Sequence, residues 1–129
     1  LVKSSAASDV YKRQAKAYKG IAVSSGNSFV HETESQVILN GSYNINFTMD
    51  LVLKDTGLFD DLAKNLDAGL EISPKIVEIF KDGQKKYGSR AWSSMIVKRM
   101  EDLNKIDFRA KGFPNELIDN EPEEKGYEI

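Results

Sequence analysis

Apolar side chains recur along most of this chain at helical spacing, and no segment alternates convincingly between apolar and polar positions. The pattern therefore predicts an all-α fold, a helical bundle. Ser28 is a preferred N-cap, Gly41 a preferred left-handed helix stop, and Ser73-Pro74 a preferred helix start. Gly83 falls inside a predicted helix, where it is unfavourable, and indicates a close helix crossing. The predicted helices cover about residues 29–39, 47–67, 74–87 and 91–103.

The central helix, residues 47–67, is apolar on several faces and still carries an adjacent Lys54-Asp55 pair. Lys54 interrupts one apolar stripe and Asp55 interrupts another. Such a helix belongs in the middle of a bundle, where charges are rare unless something pairs with them. Two interpretations stay open. Both side chains could be solvated at an edge, or Lys54 could meet an anionic or polar ligand that Asp55 helps to orient.

The two ends of the chain differ from its middle. Residues 1–14 are polar, show no helical or strand period and resemble translated adapter sequence, so we expect a non-native segment outside the fold. Residues 15–104 should form the helical domain, and residues 105–129 an extended acidic tail. The first residues do not form a signal peptide, since they lack its apolar core. Because the sequence also lacks an initiator Met, we expect it to start inside a longer reading frame.

Composition narrows the classes of function. The 129 residues amount to about one domain, and 40% hydrophobic content supports a core. A net charge of −2 without a basic stripe argues against nucleic-acid binding, and no apolar run reaches the roughly 20 residues that span a bilayer. With no cysteine and with His31 as the single histidine, we expect no metal site. No glycine-rich phosphate loop is present.

Two polar clusters have simple explanations. His31, Glu32 and Glu34 lie close together, but the two carboxylates point to different sides of a helix, so a solvated helix face is the simpler interpretation. The serines of the 24–28 segment fit turn and cap positions. They could also touch a ligand, because loops carry binding sites disproportionately.

Five short motifs follow one another in a characteristic order. They are Ser25-Gly26-Asn27-Ser28, Phe47, Lys54-Asp55, Ser73-Pro74 and Tyr87-Gly88. Phe47 precedes Lys54 by seven residues. In this order they resemble the carboxyl-terminal domain of the 3-hydroxyisobutyrate dehydrogenase family, β-hydroxyacid dehydrogenases that use NAD or NADP. The likeness covers about residues 23–103, and residues 111–127 also look like the end of some bacterial members. The spacing of Phe47 and the Lys-Asp pair is its more specific part.

The resemblance implies both a fold and a site. The fold is the helical carboxyl-terminal domain of a 6-phosphogluconate dehydrogenase-like two-domain enzyme, whose Rossmann domain binds the dinucleotide and is missing here. The active site of family members lies in the cleft between the two domains. By resemblance, Lys54 lies beside the cofactor, Phe47 and Asp55 line the cleft, and Ser25 and Gly26 contribute to its substrate side.

The resemblance also implies what this chain lacks and what it meets. The family's catalytic lysine lies upstream of the Ser-Gly-x-Ser turn, and residues 15–23 do not match its motif, so we expect no catalytic residue and no turnover from this chain alone. The expected partners are NAD or NADP, a small 3-hydroxy acid, the missing Rossmann domain and further copies of the chain in a homo-oligomer, in the cytoplasm. Without the protein partners, the chain should expose apolar surface.

A competing interpretation is a non-enzymatic helical interaction module, which the absence of a complete catalytic set favours. The upstream coding sequence would discriminate, because a Gly-x-Gly-x-x-Gly strand–helix unit there would identify a dehydrogenase.

Overall fold

The computed structural model describes residues 2–117 and 126, with side chains from residue 12 onward. Within that part of the chain no strand is present, which confirms the all-α prediction. None of its helices is long and apolar enough to cross a membrane. A short 3-10 helix, Ser93–Val97, leads into the last α-helix. The α-helices are α1 Val2–Ala22, α2 Phe29–Asn40, α3 Met49–Asn65, α4 Ser73–Tyr87 and α5 Lys98–Asn104.

Helix α3 begins two residues later than the periodicity predicts. Thr48 is extended, with φ −104° and ψ 159°, and forms an isolated antiparallel bridge with Trp92. The Met49 amide, one of the unsatisfied donors at a helix start, donates to the Ala91 carbonyl at 2.9 Å. Phe47 and Thr48 therefore lie outside the helix because a distant segment of chain supplies the partners for its first turn.

The same bridge explains why the predicted continuous helix over residues 91–103 is wrong. The Ser93 amide donates to the Phe47 carbonyl at 2.7 Å, so the backbone stays non-helical through Trp92. Only then does the 3-10 helix begin, and α5 follows it. The spacing of hydrophobic residues indicates which residues could share one face of a helix. It cannot predict a backbone pairing between segments that are distant in the sequence.

Residues 2–14, for which the sequence shows no helical period, are helical in the structure. Helix α1 runs through them to Ala22. Ala, Lys, Arg and Gln have high helix propensity, which favours a helix even where the apolar period is absent. The Gln14 side chain bonds the backbone at both Asp107 and Arg109, donating to the carbonyl of the first at 3.0 Å and accepting from the amide of the second. The non-native origin of the segment stays a prediction.

The core lies where α4 crosses the start of α3 and the 3-10 helix. Gly83 is buried, and a Cβ atom built on it would lie 2.6 Å from Ile96 Cδ1 and 3.3 Å from Met49 Sδ. The close crossing that this glycine indicates is therefore confirmed. The buried apolar side chains are Val37, Leu39, Tyr43, Met49 and Ala63.

We expect Gly83→Ala to destabilise the chain by about 1 kcal/mol, because overpacking against Ile96 outweighs the gain in helix propensity. Gly57→Ala in α3 is the matched control, since nothing lies within 4 Å of a Cβ atom there, and it should stabilise by up to about 1 kcal/mol. Urea unfolding of both variants measures the difference. Equal stabilisation by the two substitutions would show that the crossing at Gly83 is not tight.

The described part of the tail, residues 105–117, has no helix or strand and lies against the bundle. The Ala110 amide donates to the Leu39 carbonyl at 2.9 Å, and the Asn40 side chain donates to the Phe113 carbonyl at 2.9 Å. The Phe113 ring meets the Tyr18 ring edge-on, with centroids 5.1 Å apart. This part of the predicted tail is therefore irregular but attached. The remainder of the predicted acidic tail, apart from residue 126, lies outside the described residues.

A buried ionic network anchors the tail. Glu101 of α5 is 1% exposed and accepts hydrogen bonds from the Tyr43 hydroxyl, from the Phe108 amide at 2.8 Å and from the Arg109 guanidinium at 2.8 Å. Arg109 also donates to the Tyr43 hydroxyl at 2.8 Å. Burial and the bond to Glu101 raise the pKa of Tyr43 to about 12, so the phenol stays a neutral donor at physiological pH.

Candidate cofactor-binding site

The Lys54-Asp55 pair lies on the surface of α3. The two side chains are 61% and 55% exposed, and Lys54 Nζ lies 3.1 Å from Asp55 Oδ1. Of the residues of α3, only Met49 and Ala63 are buried. The helix therefore lies at the edge of the fold, and the inference that several apolar faces place it in the middle of a bundle is wrong for this chain. In the structure the pair is a solvated ion pair.

Apolar side chains beyond the pair on α3 also face solvent. The exposed fraction is 63% for Leu58 and above one half for three further residues of the same stretch. A groove of about 500 Å³ lies beside them, between α3 and the start of α4. The expected exposure of apolar surface is therefore present. The exposed apolar residues of α3, its C-cap and the start of α4 are Leu58, Phe59, Leu62, Leu66, Ile72 and Ile76.

Phe47 and the pair belong to one continuous segment but are held differently. Phe47 precedes α3, is 36% exposed, and its carbonyl accepts the Ser93 amide. Its backbone is thus fixed by the pairing with the segment before the 3-10 helix, whereas Lys54 is free to reorient on an exposed helical turn. Among the described residues, no hydrogen bond or ion pair joins Phe47 to Lys54.

Ser25 and Gly26 are exposed in the turn between α1 and α2. The Gly26 amide donates to Ser24 Oγ at 3.2 Å, and that hydroxyl donates to the Ile21 carbonyl at 2.8 Å. Ser28 caps α2 by accepting from the His31 amide at 3.0 Å, as predicted. These bonds stay within the turn and its flanking helices. Nothing in the described contacts connects the turn to the Lys54-Asp55 pair.

The acidic cluster beside His31 is only partly solvated. Glu32 is exposed, as expected. The His31 ring, in contrast, is half-buried, stacks on Tyr18 with centroids 5.0 Å apart, and has one nitrogen 2.9 Å from the Tyr18 carbonyl and the other 3.2 Å from Ser35 Oγ. Burial raises the pKa of Glu34. The solvated-face interpretation is therefore wrong for His31 and Glu34. The i, i+4 spacing of His31 and Ser35 in the sequence could have predicted the contact between these two side chains.

Glu34→Gln should stabilise the chain at neutral pH and leave its stability nearly unchanged at acidic pH. The raised pKa means that the folded state favours the protonated carboxyl. Stability is therefore retained below the ordinary pKa of 4.5 and falls as the pH rises through the higher folded-state pKa. Thermal unfolding across this range measures the effect, and Glu32→Gln on the exposed side of α2 is the control. A gain for Glu34→Gln that does not change with pH would contradict the assignment.

A polar cavity of about 300 Å³, not expected from the sequence, lies beside the loop that precedes α3. Loop residues Asn44, Ile45 and Asn46 line it together with Trp92, and the tail closes it. Two asparagines in a short loop were visible in the sequence, but their meeting with the tail depends on the tail's path. No group of three or more acidic, histidine or cysteine residues that could hold a metal ion is found in the described part of the chain.

The residues around Lys54 have chemistry that fits a dinucleotide. An exposed ammonium group suits the phosphate and hydroxyl oxygens of such a cofactor. Leu58, one turn further along α3 and 63% exposed, adds apolar surface of the kind that ligand sites combine with a few polar groups. This fit depends on the exposure of Lys54, since a buried lysine would not be accessible to a cofactor.

Comparison with known protein families gives a match to the model described as the NAD-binding domain of NADP-dependent 3-hydroxyisobutyrate dehydrogenase. The matched region is residues 7–100, about three quarters of the chain, and it contains the turn at Ser25, Phe47 and the Lys54-Asp55 pair. It also begins inside the segment expected to be non-native. No curated protein matches the chain. With this share of its length matched, the chain belongs to the NAD-binding domain family of 3-hydroxyisobutyrate dehydrogenase-like enzymes.

Proposed function

We propose that this chain supplies the helical wall of the cofactor and substrate cleft in an NAD(P)-dependent 3-hydroxyacid dehydrogenase. The family is one of NAD-dependent dehydrogenases, which supports the class of reaction. The opposite wall of the cleft would be a Rossmann domain, which carries the main dinucleotide contacts in enzymes of this architecture. The substrate would be a small 3-hydroxy acid.

The main observation that supports this proposal is that the ammonium group of Lys54 is accessible to a ligand. Its side chain is 61% exposed, and its partner in the structure is the adjacent Asp55 at 3.1 Å. Such an exposed pair is worth at most about 1 kcal/mol, so a ligand oxygen can replace or join the carboxylate at little cost. Lys54 thus presents a positive charge on the outer side of the helix, at the position that the family resemblance places beside the cofactor.

Each residue of the segment has a distinct part in the proposed site. Lys54 holds an anionic or hydroxyl oxygen of the dinucleotide, and Asp55 orients the ammonium group. Phe47, whose backbone is held at its carbonyl by Ser93, contributes an apolar side chain that limits water in the cleft. When bound, NAD or NADP supplies the hydride chemistry. The proton-transferring lysine of the reaction would come from outside this chain.

The exposed apolar side chains from Leu58 to Ile76 support protein partners for the same face. Exposed apolar patches of this kind mark interaction sites, including interfaces between domains. A Rossmann domain and a second copy of the chain are the partners that fit the family. An interaction module without enzymatic function would expose a similar face, but no separate observation favours it over the dehydrogenase.

Titration of the isotope-labelled chain with NADH and with NADPH, followed by amide NMR spectra, tests the proposal. We expect weak binding, since only one wall of the cleft is present, with the largest shift changes around Phe47, Lys54 and Asp55. In Lys54→Ala these changes should disappear. In Lys64→Ala, which removes another exposed lysine of α3 paired with Asp61 at 3.4 Å, they should persist. Binding that maps elsewhere, or no difference between the two variants, would refute the assignment of this site.

A further inference from the structure

The polar cavity of about 300 Å³ brings four side chains with hydrogen-bonding groups to one place. They are two amides from the loop before α3, the indole of Trp92 and the carboxylate of Glu116. Ile45 and Leu117 complete its lining, so that apolar surface accompanies the polar groups. A few converging polar groups on an apolar background are typical of small-molecule sites, and this volume lies at the small end of their range.

The hydrogen-bonding capacity of these groups is unused within the described part of the molecule. None of the hydrogen bonds or ion pairs among the described residues uses the side chains of Asn44, Asn46, Trp92 or Glu116. Together they offer donors from the indole and the two amides, and acceptors from the amides and the carboxylate. A ligand could therefore meet both donors and acceptors without displacing an intramolecular bond.

The framework beneath the cavity is firmly held. The Tyr43 amide donates to the Val37 carbonyl at 3.1 Å, and Ser94 Oγ donates to the Tyr43 carbonyl at 2.6 Å. At the other end of the loop, the Phe47 carbonyl accepts the Ser93 amide. Asn46 adopts φ 56°, a left-handed conformation that asparagine tolerates better than most residues. A loop that is already fixed at both ends loses little conformational entropy when a ligand binds, and this favours affinity.

The charges select the class of ligand. Anions are disfavoured, because no basic side chain lines the cavity and the Glu116 carboxylate repels them. A cation would meet only this one carboxylate, which is exposed and well solvated, so the attraction would be small. Hydroxyl groups donate and accept at once and match the mixed set of amides, indole and carboxylate. Aliphatic C–H groups can pack on the Trp92 ring.

We propose that this cavity binds a small neutral polyhydroxy compound, of the class of polyols and monosaccharides. None of the residues that line this cavity belongs to the Lys54-Asp55 pair, although Asn46 directly precedes Phe47, and the proposal does not depend on the proposed dehydrogenase function. A 3-hydroxy acid, being an anion, would not be its ligand.

Trp92 is the single tryptophan of the chain, so its fluorescence reports this cavity directly. Titration of the chain with xylitol and with D-glucose should give a saturable change. Asn46→Gly keeps the left-handed backbone and removes the amide, and it should weaken binding about 5- to 10-fold, as should Asn44→Ala. Glu116→Gln retains a hydrogen-bonding group and should change polyol affinity less than about 3-fold. Asn65→Ala at the end of α3 is the control and should have no effect.

Two results would overturn the proposal. The first is a fluorescence change that rises linearly with either compound, as expected of an excluded osmolyte that occupies no site. The second is a saturable response to ethylammonium chloride alone that Glu116→Gln abolishes, which would identify a cation site. Circular dichroism of each variant establishes that it folds. Because Asn44→Ala and Asn46→Gly remove amides at different backbone positions, either one that folds is sufficient for the test.

Discussion

Glu101→Ala should cost about 3–5 kcal/mol of unfolding free energy, a large share of the 5–15 kcal/mol typical of a domain. The carboxylate is 1% exposed and accepts from the Tyr43 hydroxyl, the Phe108 amide and the Arg109 guanidinium. Its removal leaves the Tyr43 hydroxyl and the Phe108 amide without this acceptor, and it leaves Arg109, which keeps bonds to backbone carbonyls, without its buried counter-charge. Breaking one partner of such a pair is far more costly than the pair's net contribution, because the remaining charge stays desolvated.

Asp102→Ala is the matched control, since this neighbouring carboxylate lies at the surface. It accepts from the Tyr87 hydroxyl at 2.7 Å and lies 3.8 Å from Lys98, and its loss should cost less than about 1 kcal/mol. Urea unfolding of both variants gives the comparison. If Glu101→Ala lost no more stability than Asp102→Ala, the buried network would not be the anchor that the structure indicates.

Loss of the network should also free the tail before the bundle unfolds. The Ala110 amide donates to the Leu39 carbonyl, and this bond lies next to Arg109, whose guanidinium is held by Glu101. In Glu101→Ala, hydrogen exchange at Ala110 should accelerate more than exchange within α4. Equal acceleration in both places would indicate global destabilisation alone.

Most of the helices could be predicted from the sequence, because the residues that start and stop a helix act locally. The cap at Ser28 and the left-handed stop at Gly41 with φ 93° each concern one turn of backbone. Helix α4 begins at Ser73 with Ile72 in the N-cap position, one residue before the start that the Ser73-Pro74 pair predicts. The structure departs from these expectations where distant segments meet. The Thr48–Trp92 bridge delays α3, and the tail network buries a glutamate that periodicity alone places in an ordinary helix.

The sequence singled out the Lys54-Asp55 pair but did not indicate its environment. Spacing picked out Lys54 and Asp55 because they interrupt apolar stripes, yet the same stripes led to the wrong conclusion that α3 is central. In this chain those stripes are exposed, as apolar faces that meet a partner would be. A sequence pattern records which faces are covered in the functional assembly, so it can misplace an element within a single chain.

In the proposed two-domain dehydrogenase, Lys54→Ala should weaken NAD(P) binding by about 1.5–3 kcal/mol, or roughly 10- to 150-fold in Kd. A charge-assisted hydrogen bond to the dinucleotide accounts for a loss of this size. The stability of the fold should hardly change, because the exposed pair with Asp55 contributes at most about 1 kcal/mol. Asp55→Ala should lower turnover more than it lowers stability, since its proposed part is to orient Lys54.

Lys54→Arg and Lys64→Ala separate the explanations that remain. Arginine keeps the charge but replaces a compact ammonium with a planar fork, so Lys54→Arg should recover part of the affinity if a directed hydrogen bond matters and nearly all of it if only the charge matters. Lys64→Ala removes the same charge ten residues further along α3 and should leave affinity unchanged. Cofactor titration and steady-state kinetics measure both effects. Unchanged cofactor affinity in Lys54→Ala, together with unchanged turnover in Asp55→Ala, would leave the pair as the solvated surface ion pair that the structure shows.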